Sequence, residues 1–145
     1  MTEFLSELFN FLLEHWFLST LLVVLLGMLI QNEITDTVYG ITSLPAKDLV
    51  DLMNSNGAIV YDLRPYDVYK KGHILGSESI TADIINSRVD QIKANTQKEV
   101  VLACDSGIDS PKIGRNLVKL GVNKINYLSG GIHGWQGKGY PLVKK

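Results

Sequence analysis

No charged side chain interrupts residues 16–32, and the centre of that stretch, residues 17–30, is apolar nearly all round. A helix with no polar face cannot lie half-solvated on a water-soluble domain. The stretch is at the short end of what a bilayer span needs, about 17–25 residues. Phe4, Leu5, Leu8, Phe9, Leu12 and Leu13 extend the apolar face upstream, and Trp16 suits a membrane–water interface. A cleaved leader would need a basic start and a small-residue cleavage site, and neither is evident. A monotopic helix would need a strongly polar, basic face, which residues 17–30 lack. A buried helix of a soluble core is disfavoured by the unbroken run. The expectation is a membrane anchor over residues 1–32 containing one transmembrane helix, a linker over 33–41 and a folded domain over 42–145.

Charge divides the chain at the same place. Residues 1–46 hold five acidic residues and no Lys or Arg, whereas all 14 basic residues lie from Lys47 onward, against 10 acidic ones. The positive-inside rule then places the Lys-bearing part in the cytoplasm and the short acidic tail outside. A single cysteine cannot build a disulfide framework, which fits a reducing compartment. A net charge of −1 does not argue for nucleic acid, and no such partner is expected.

From Thr42 onward, helical and strand patterns alternate. Leu44, Leu49, Val50 and Met53 recur at helical spacing after Ser43 and Pro45. Ala58, Ile59, Val60 and Tyr61 form a short apolar strand with Asp62 at its end, and Ser79 and Ile80 a briefer one. Thr81 is placed to cap a helix whose apolar face is Ile84, Ile85, Val89 and Ile92. A strand over 100–104 precedes a helix over 111–120, with Ser110 as N-cap, Pro111 in the first helical position and Gly121 closing the end. Residues 125–128 form a last strand, ended by Gly130 and Gly131. Short apolar strands separated by helices imply an α/β fold with a parallel sheet covered on both faces. Ligands of such sheets bind outside the carboxyl ends of the strands.

Cys104 stands at such an end, followed by Asp105, Ser106, Gly107, Ile108 and Asp109 before the helix. A thiol facing a helix N-terminus meets unpaired backbone N–H groups and the positive end of the macrodipole, which favour thiolate and hold anions. The alternative is a buried cysteine serving as a small hydrophobe.

Three segments in register resemble the rhodanese-like family. Asp62, Arg64, Tyr69, Gly72, His73, Ile74, Gly76 and Ser77 match its first motif. Cys104, Gly107 and Ser110 match its active-site loop. Leu128, Gly130, Gly131, Ile132 and Trp135 match its closing signature. Together they span residues 41–143, and the hydrophobic N-terminal helix is similar to a membrane-anchored bacterial subgroup. The resemblance implies a central, mostly parallel sheet flanked by helices. It also implies a sulfurtransferase in which Cys104 takes a sulfane sulfur as a persulfide and passes it to a nucleophile. Asp105, Ser106, Gly107, Ile108, Asp109 and Ser110 would then form the substrate cradle, with Asp62 and Arg64 supporting it. No cofactor is implied. Expected partners are the membrane, a small-molecule or protein sulfur donor and acceptor, and an inner-membrane protein. The expected location is the bacterial inner membrane, with the domain facing the cytoplasm. The competing reading is a catalytically weak binding module tethered there.

One departure bears on the donor. Members that use thiosulfate often carry a basic residue directly after the cysteine and an Arg five residues after it, where this chain has Asp105 and Asp109. At about 7 Å and an effective dielectric near 20, each carboxylate opposes a neighbouring negative charge by about 2 kcal/mol at most, and less if solvated. The helix N-terminus returns about 0.3–1 kcal/mol. Thiosulfate is therefore expected to be a poor donor. Arg64 is expected to pair with a carboxylate or carbonyl beneath the loop, His73 to be a hydrogen-bonded core residue, His133 to face solvent and Trp135 to pack in the core. The three histidines and the cysteine are scattered without metal-ligand spacing. A phosphatase of related fold would need Arg where Ser110 stands.

Overall fold

The structure is a computed structural model that describes residues 1–94 and 97–144, apart from the side chains of residues 2, 5, 8, 9, 12 and 31–37. The chain divides into two units, residues 1–35 and 36–145. The first holds helix α1 (Thr2–Glu14) and most of helix α2 (Trp16–Val38). The large apolar side chains of residues 17–30 are exposed. Among the described residues, no helix is long and apolar enough to cross a membrane. Fourteen helical residues rise only about 21 Å, against about 30 Å of hydrocarbon core. The transmembrane helix expected from the sequence is therefore not found among the described residues. The side chains of Leu5, Leu8, Phe9, Leu12, Gln31 and Asn32, which belong to the expected anchor, lie outside them. Helix α2 runs on through Val38, so most of the expected linker is helical.

The second unit is an α/β fold. Strands β1 (Thr42–Leu44), β2 (Ala58–Asp62), β3 (Glu78–Ser79), β4 (Glu99–Ala103) and β5 (Ile125–Leu128) form one parallel sheet in the order β1-β5-β4-β2-β3. Alternation along the strands feeds two cores. Val100, Leu102 and Cys104 join Tyr61, Leu63, Ile85, Ile92 and Leu117 on one face, while Val101 and Ala103 join Val60, Leu49, Leu128, Ile132 and Trp135 on the other. Period-two alternation forces this division. Cys104, one step beyond β4, keeps the phase and so faces the same side as Leu102. The chain leaves β2 toward β3 but leaves β4 toward β5, so the connections reverse direction between β2 and β4. Ligands of open parallel sheets bind at that reversal.

The helices are α3 (Ala46–Asn54), α4 (Tyr66–Lys71), α5 (Val89–Ala94), α6 (Asp109–Lys119) and α7 (Gly131–Gly137), with a 3₁₀ turn at Ile85–Arg88. Several local expectations are corrected. Leu44 lies in β1 rather than on a helix, because its segment pairs with β5. Ile85 lies in the 3₁₀ turn and Ile84 precedes it, exposed, so neither belongs to α5, and the Thr81 hydroxyl bonds to Asp83 instead of capping a helix. Helix α6 begins at Asp109 with Ile108 as N-cap, so Ser110 is inside the first turn, fully buried, with its hydroxyl unpartnered among the described residues. Gly121 does follow the helix end with φ +88°, the left-handed conformation suited to glycine.

Candidate active site

Three segments distant in sequence meet on the Cys104 loop. Strand β2 ends at Asp62, fully buried, and its carboxylate accepts bonds from Arg64 Nε at 2.9 Å and a terminal guanidinium nitrogen at 2.7 Å. The same nitrogen donates to the Gly72 carbonyl at 2.7 Å, and the guanidinium reaches the Asp105 carboxylate at 3.7 Å. Arg64 thus joins the end of β2, the end of α4 and the residue after the cysteine. Burial alone would lower the Arg64 pKa, but hydrogen bonding and charge from Asp62, with help from Asp105, hold it above the ordinary value. The guanidinium is a permanent cation beneath the loop.

Helix α7 grips the loop from the other side. The Ile132 N–H donates to the Cys104 carbonyl at 2.9 Å and the His133 N–H to the Asp105 carbonyl at 3.0 Å. These bonds use N–H groups that a helix start leaves free and occupy two loop carbonyls. Such an approach requires glycine at 131. A Cβ there would stand 2.3 Å from the Cys104 carbonyl oxygen and 2.6 Å from that of Asp105, and φ is +58°. Gly107, at φ +83°, turns the loop so that its own N–H lies 3.2 Å from Cys104 Sγ. An N–H donor to sulfur stabilises negative charge on that atom.

Cys104 is only 6 % exposed, yet it borders a cleft of about 250 Å³ lined also by Leu63, Ala82, Asp109, Lys112, Ile113 and Asn116. Of the residues read from sequence, Cys104 and Asp109 line this cleft. Asp105 is drawn toward Arg64, Ser106 and Ile108 are exposed, Gly107 bonds the sulfur, and Ser110 is buried. Lys112, Ile113 and Asn116 were not among the sequence candidates. Their signal was spacing, since 109, 112, 113 and 116 share one helix face.

The remaining motif residues build the frame. His73 is buried, its Nδ1 lies 3.0 Å from the Tyr69 carbonyl, and its ring stacks on Tyr69. Trp135 is buried and donates its indole N–H to the Pro141 carbonyl, whereas His133 is exposed.

The family model for the rhodanese-like domain matches residues 45–138. The chain belongs to the rhodanese-like domain family. It is 27% identical over 141 residues to the protein YibN of Escherichia coli (strain K12), an alignment covering 97% of this chain and 99% of that protein. The rhodanese-related protein of Thermoplasma volcanium superposes with a TM-score of 0.64 at 26% identity, covering 72% of this chain and 99% of that one. A thiosulfate sulfurtransferase of Pseudomonas aeruginosa shares the fold, with a TM-score of 0.68 at 24% identity over 77% of this chain and 22% of that one. In this rhodanese-like domain, the buried Asp62–Arg64 pair and the Gly130–Gly131 turn are the physical content of the first and third motifs.

Proposed function

We propose that this rhodanese-like domain is a sulfurtransferase that carries sulfane sulfur as a Cys104 persulfide. The observation that carries the reading is the Gly107 N–H directed at Cys104 Sγ from a loop whose Cys104 and Asp105 carbonyls are engaged by α7. The thiolate attacks the outer sulfur of a donor, one S–S bond forms as another breaks, and the donor fragment leaves with the electron pair. Intact mass after exposure to inorganic polysulfide tests this. One added sulfur on the parent and none on Cys104→Ser supports it, and no addition to the parent overturns it.

The exposed loop carboxylates favour a second reading, a rhodanese-like binding module with little catalysis. In that case, polysulfide would leave the Cys104 mass unchanged while the fold persisted. Under either reading, the proposed location is the bacterial inner membrane, with α2 as the attachment and the domain on the cytoplasmic side. The exposed apolar surface of residues 17–30 and the confinement of all Lys and Arg to residues from 47 onward support it. An inner-membrane protein partner is compatible with this attachment.

A further inference from the structure

Asp109 and Lys112 bring opposite unit charges to the cleft beside Cys104. Neither side chain has an ion pair or hydrogen bond among the described residues, although the nearby Asp62 and Asp105 carboxylates both face Arg64. The two residues lie three apart on α6, where side chains are neighbours with Cβ atoms about 5–6 Å apart. Leu63, Ala82 and Ile113 give the cleft an apolar wall, and Asn116 adds a neutral donor and acceptor. A volume of about 250 Å³ is below the roughly 300–1,000 Å³ of sites for drug-sized ligands. It corresponds to about eight water molecules at roughly 30 Å³ each, room for a small molecule with space to spare for an amino acid.

We infer that the small molecule exchanging sulfur with Cys104 is a zwitterionic amino-acid thiol or its persulfide, with its ammonium toward Asp109 and its carboxylate toward Lys112. The inference rests on the sulfur-transfer reading of Cys104 and names the substrate class of that site. An α-amino acid carries both charges on one carbon, which matches two side chains adjacent on a helix face. Its thiol-bearing methylene suits the apolar wall. A dianion would meet Asp109 unfavourably, and a simple amine would meet Lys112 unfavourably.

In loading, the Cys104 thiolate attacks the outer sulfur of R–S–SH. The Cys104 S–S bond forms as the donor S–S bond breaks, R–S⁻ leaves with the electron pair, and the proton stays on the transferred sulfur. Cys104 is oxidised as the donor is reduced, so no other oxidant enters. Discharge to an acceptor thiolate is the reverse.

The test loads the full-length protein with inorganic polysulfide and follows discharge by intact mass. The acceptors are cysteine, cysteamine, which lacks the carboxylate, and 3-mercaptopropionate, which lacks the ammonium. Rates are divided by each thiol's thiolate fraction and corrected for its nucleophilicity. Cysteine should exceed each single-charge analogue by about threefold, the scale of one exposed charge contact. Lys112→Glu should shift the cysteamine to 3-mercaptopropionate ratio about tenfold toward cysteamine, and Asp109→Lys about tenfold the other way, since each variant turns an attraction into a repulsion. Both side chains are exposed, and Lys112→Gln and Asp109→Asn, which should give half of each shift on a logarithmic scale, stand in for any variant that does not fold. Equal corrected rates for the three thiols, or ratios unmoved by the variants, overturn the inference while a loaded Cys104 leaves sulfur transfer standing. Failure of polysulfide to load Cys104 overturns that reading, and the inference with it.

Discussion

Asp105 and Asp109 carry the same charge beside the same thiol, yet replacing them with Arg should have opposite consequences. Thiosulfate is the discriminating donor, because it arrives with two negative charges and leaves as sulfite once its outer sulfur has moved to Cys104. Asp109 is exposed at the cleft. An exposed charge contact of this kind is worth about 0.5 kcal/mol per unit charge, so a dianion experiences about 1 kcal/mol of repulsion. Asp109→Arg reverses the sign, a swing of about 2 kcal/mol, and should raise kcat/KM for thiosulfate about tenfold to thirtyfold at low ionic strength. Salt near 1 M, where the screening length is about 3 Å, should remove most of the gain.

Asp105 answers to Arg64. At 3.7 Å the bare attraction at an effective dielectric of 20 is about 4 kcal/mol, but the Asp105 side chain is 55% exposed, and solvent reduces the pair to about 1 kcal/mol. Asp105→Arg sets a second guanidinium against a buried one and converts that attraction into a comparable repulsion. It should lower the melting temperature and leave thiosulfate turnover at or below the parent value. Sulfite release at matched pH, with a thermal melt of each variant, separates the two. The reasoning is refuted if Asp109→Arg gains nothing at low salt, or if Asp105→Arg gains as much as Asp109→Arg.

Gly131→Ala drives a Cβ into two carbonyl oxygens of the Cys104 loop, and it should cost about 2–4 kcal/mol in chemical denaturation and slow persulfide formation. Wild-type stability would show that α7 is not held against the loop. Arg64→Met leaves the Asp62 carboxylate buried without its cation and should cost about 3–5 kcal/mol. Asp62→Asn/Arg64→Met together should recover part of that loss, and an additive pair of losses would contradict the coupling. For the membrane, full-length protein should stay with the pellet after carbonate washing, while deletion of residues 1–38 should give a folded domain in the supernatant. Release of the full-length chain by carbonate would sink the anchor.

The central strands were legible because a strand buried on both faces is a short, near-continuous apolar run, as in 58–61 and 100–103. Two of the elements not read, β1 and α7, draw their stability from elsewhere. Strand β1 is three residues, two of them polar and exposed, and exists by pairing with β5. Helix α7 has glycine at 131, 134 and 137, a composition that opposes helix in isolation. It forms because its first N–H groups meet the loop carbonyls and because a side chain at 134 would stand 2.8 Å from the Ser129 carbonyl. The misplaced start of α6 has a similar origin. Ser110 and Pro111 carry the usual signs of a helix start, but the loop closes early and takes them into the first turn.

The candidate site shows a sharper division between what local sequence reveals and what it hides. Its clamp is encoded in motifs. Arg64 in the first segment and Gly131 in the third each fix one side of the Cys104 loop, so the three segments form a single mechanical unit. Selectivity is not encoded there. Asp109, Lys112, Ile113 and Asn116 present one face of α6 to the cleft, and only Asp109 lies within the loop pattern. A family resemblance therefore carries the sulfur chemistry of the loop but says little about its substrate. On sequence alone both carboxylates count alike, and the loop is expected to repel anions. Arg64 draws Asp105 away from the cleft but also faces Asp62, so that cluster of two carboxylates and one guanidinium keeps a net negative charge. At the cleft itself Lys112 offsets Asp109, and on the proposed reading this pair of opposite charges selects for a partner's charge pattern as well as against its total charge.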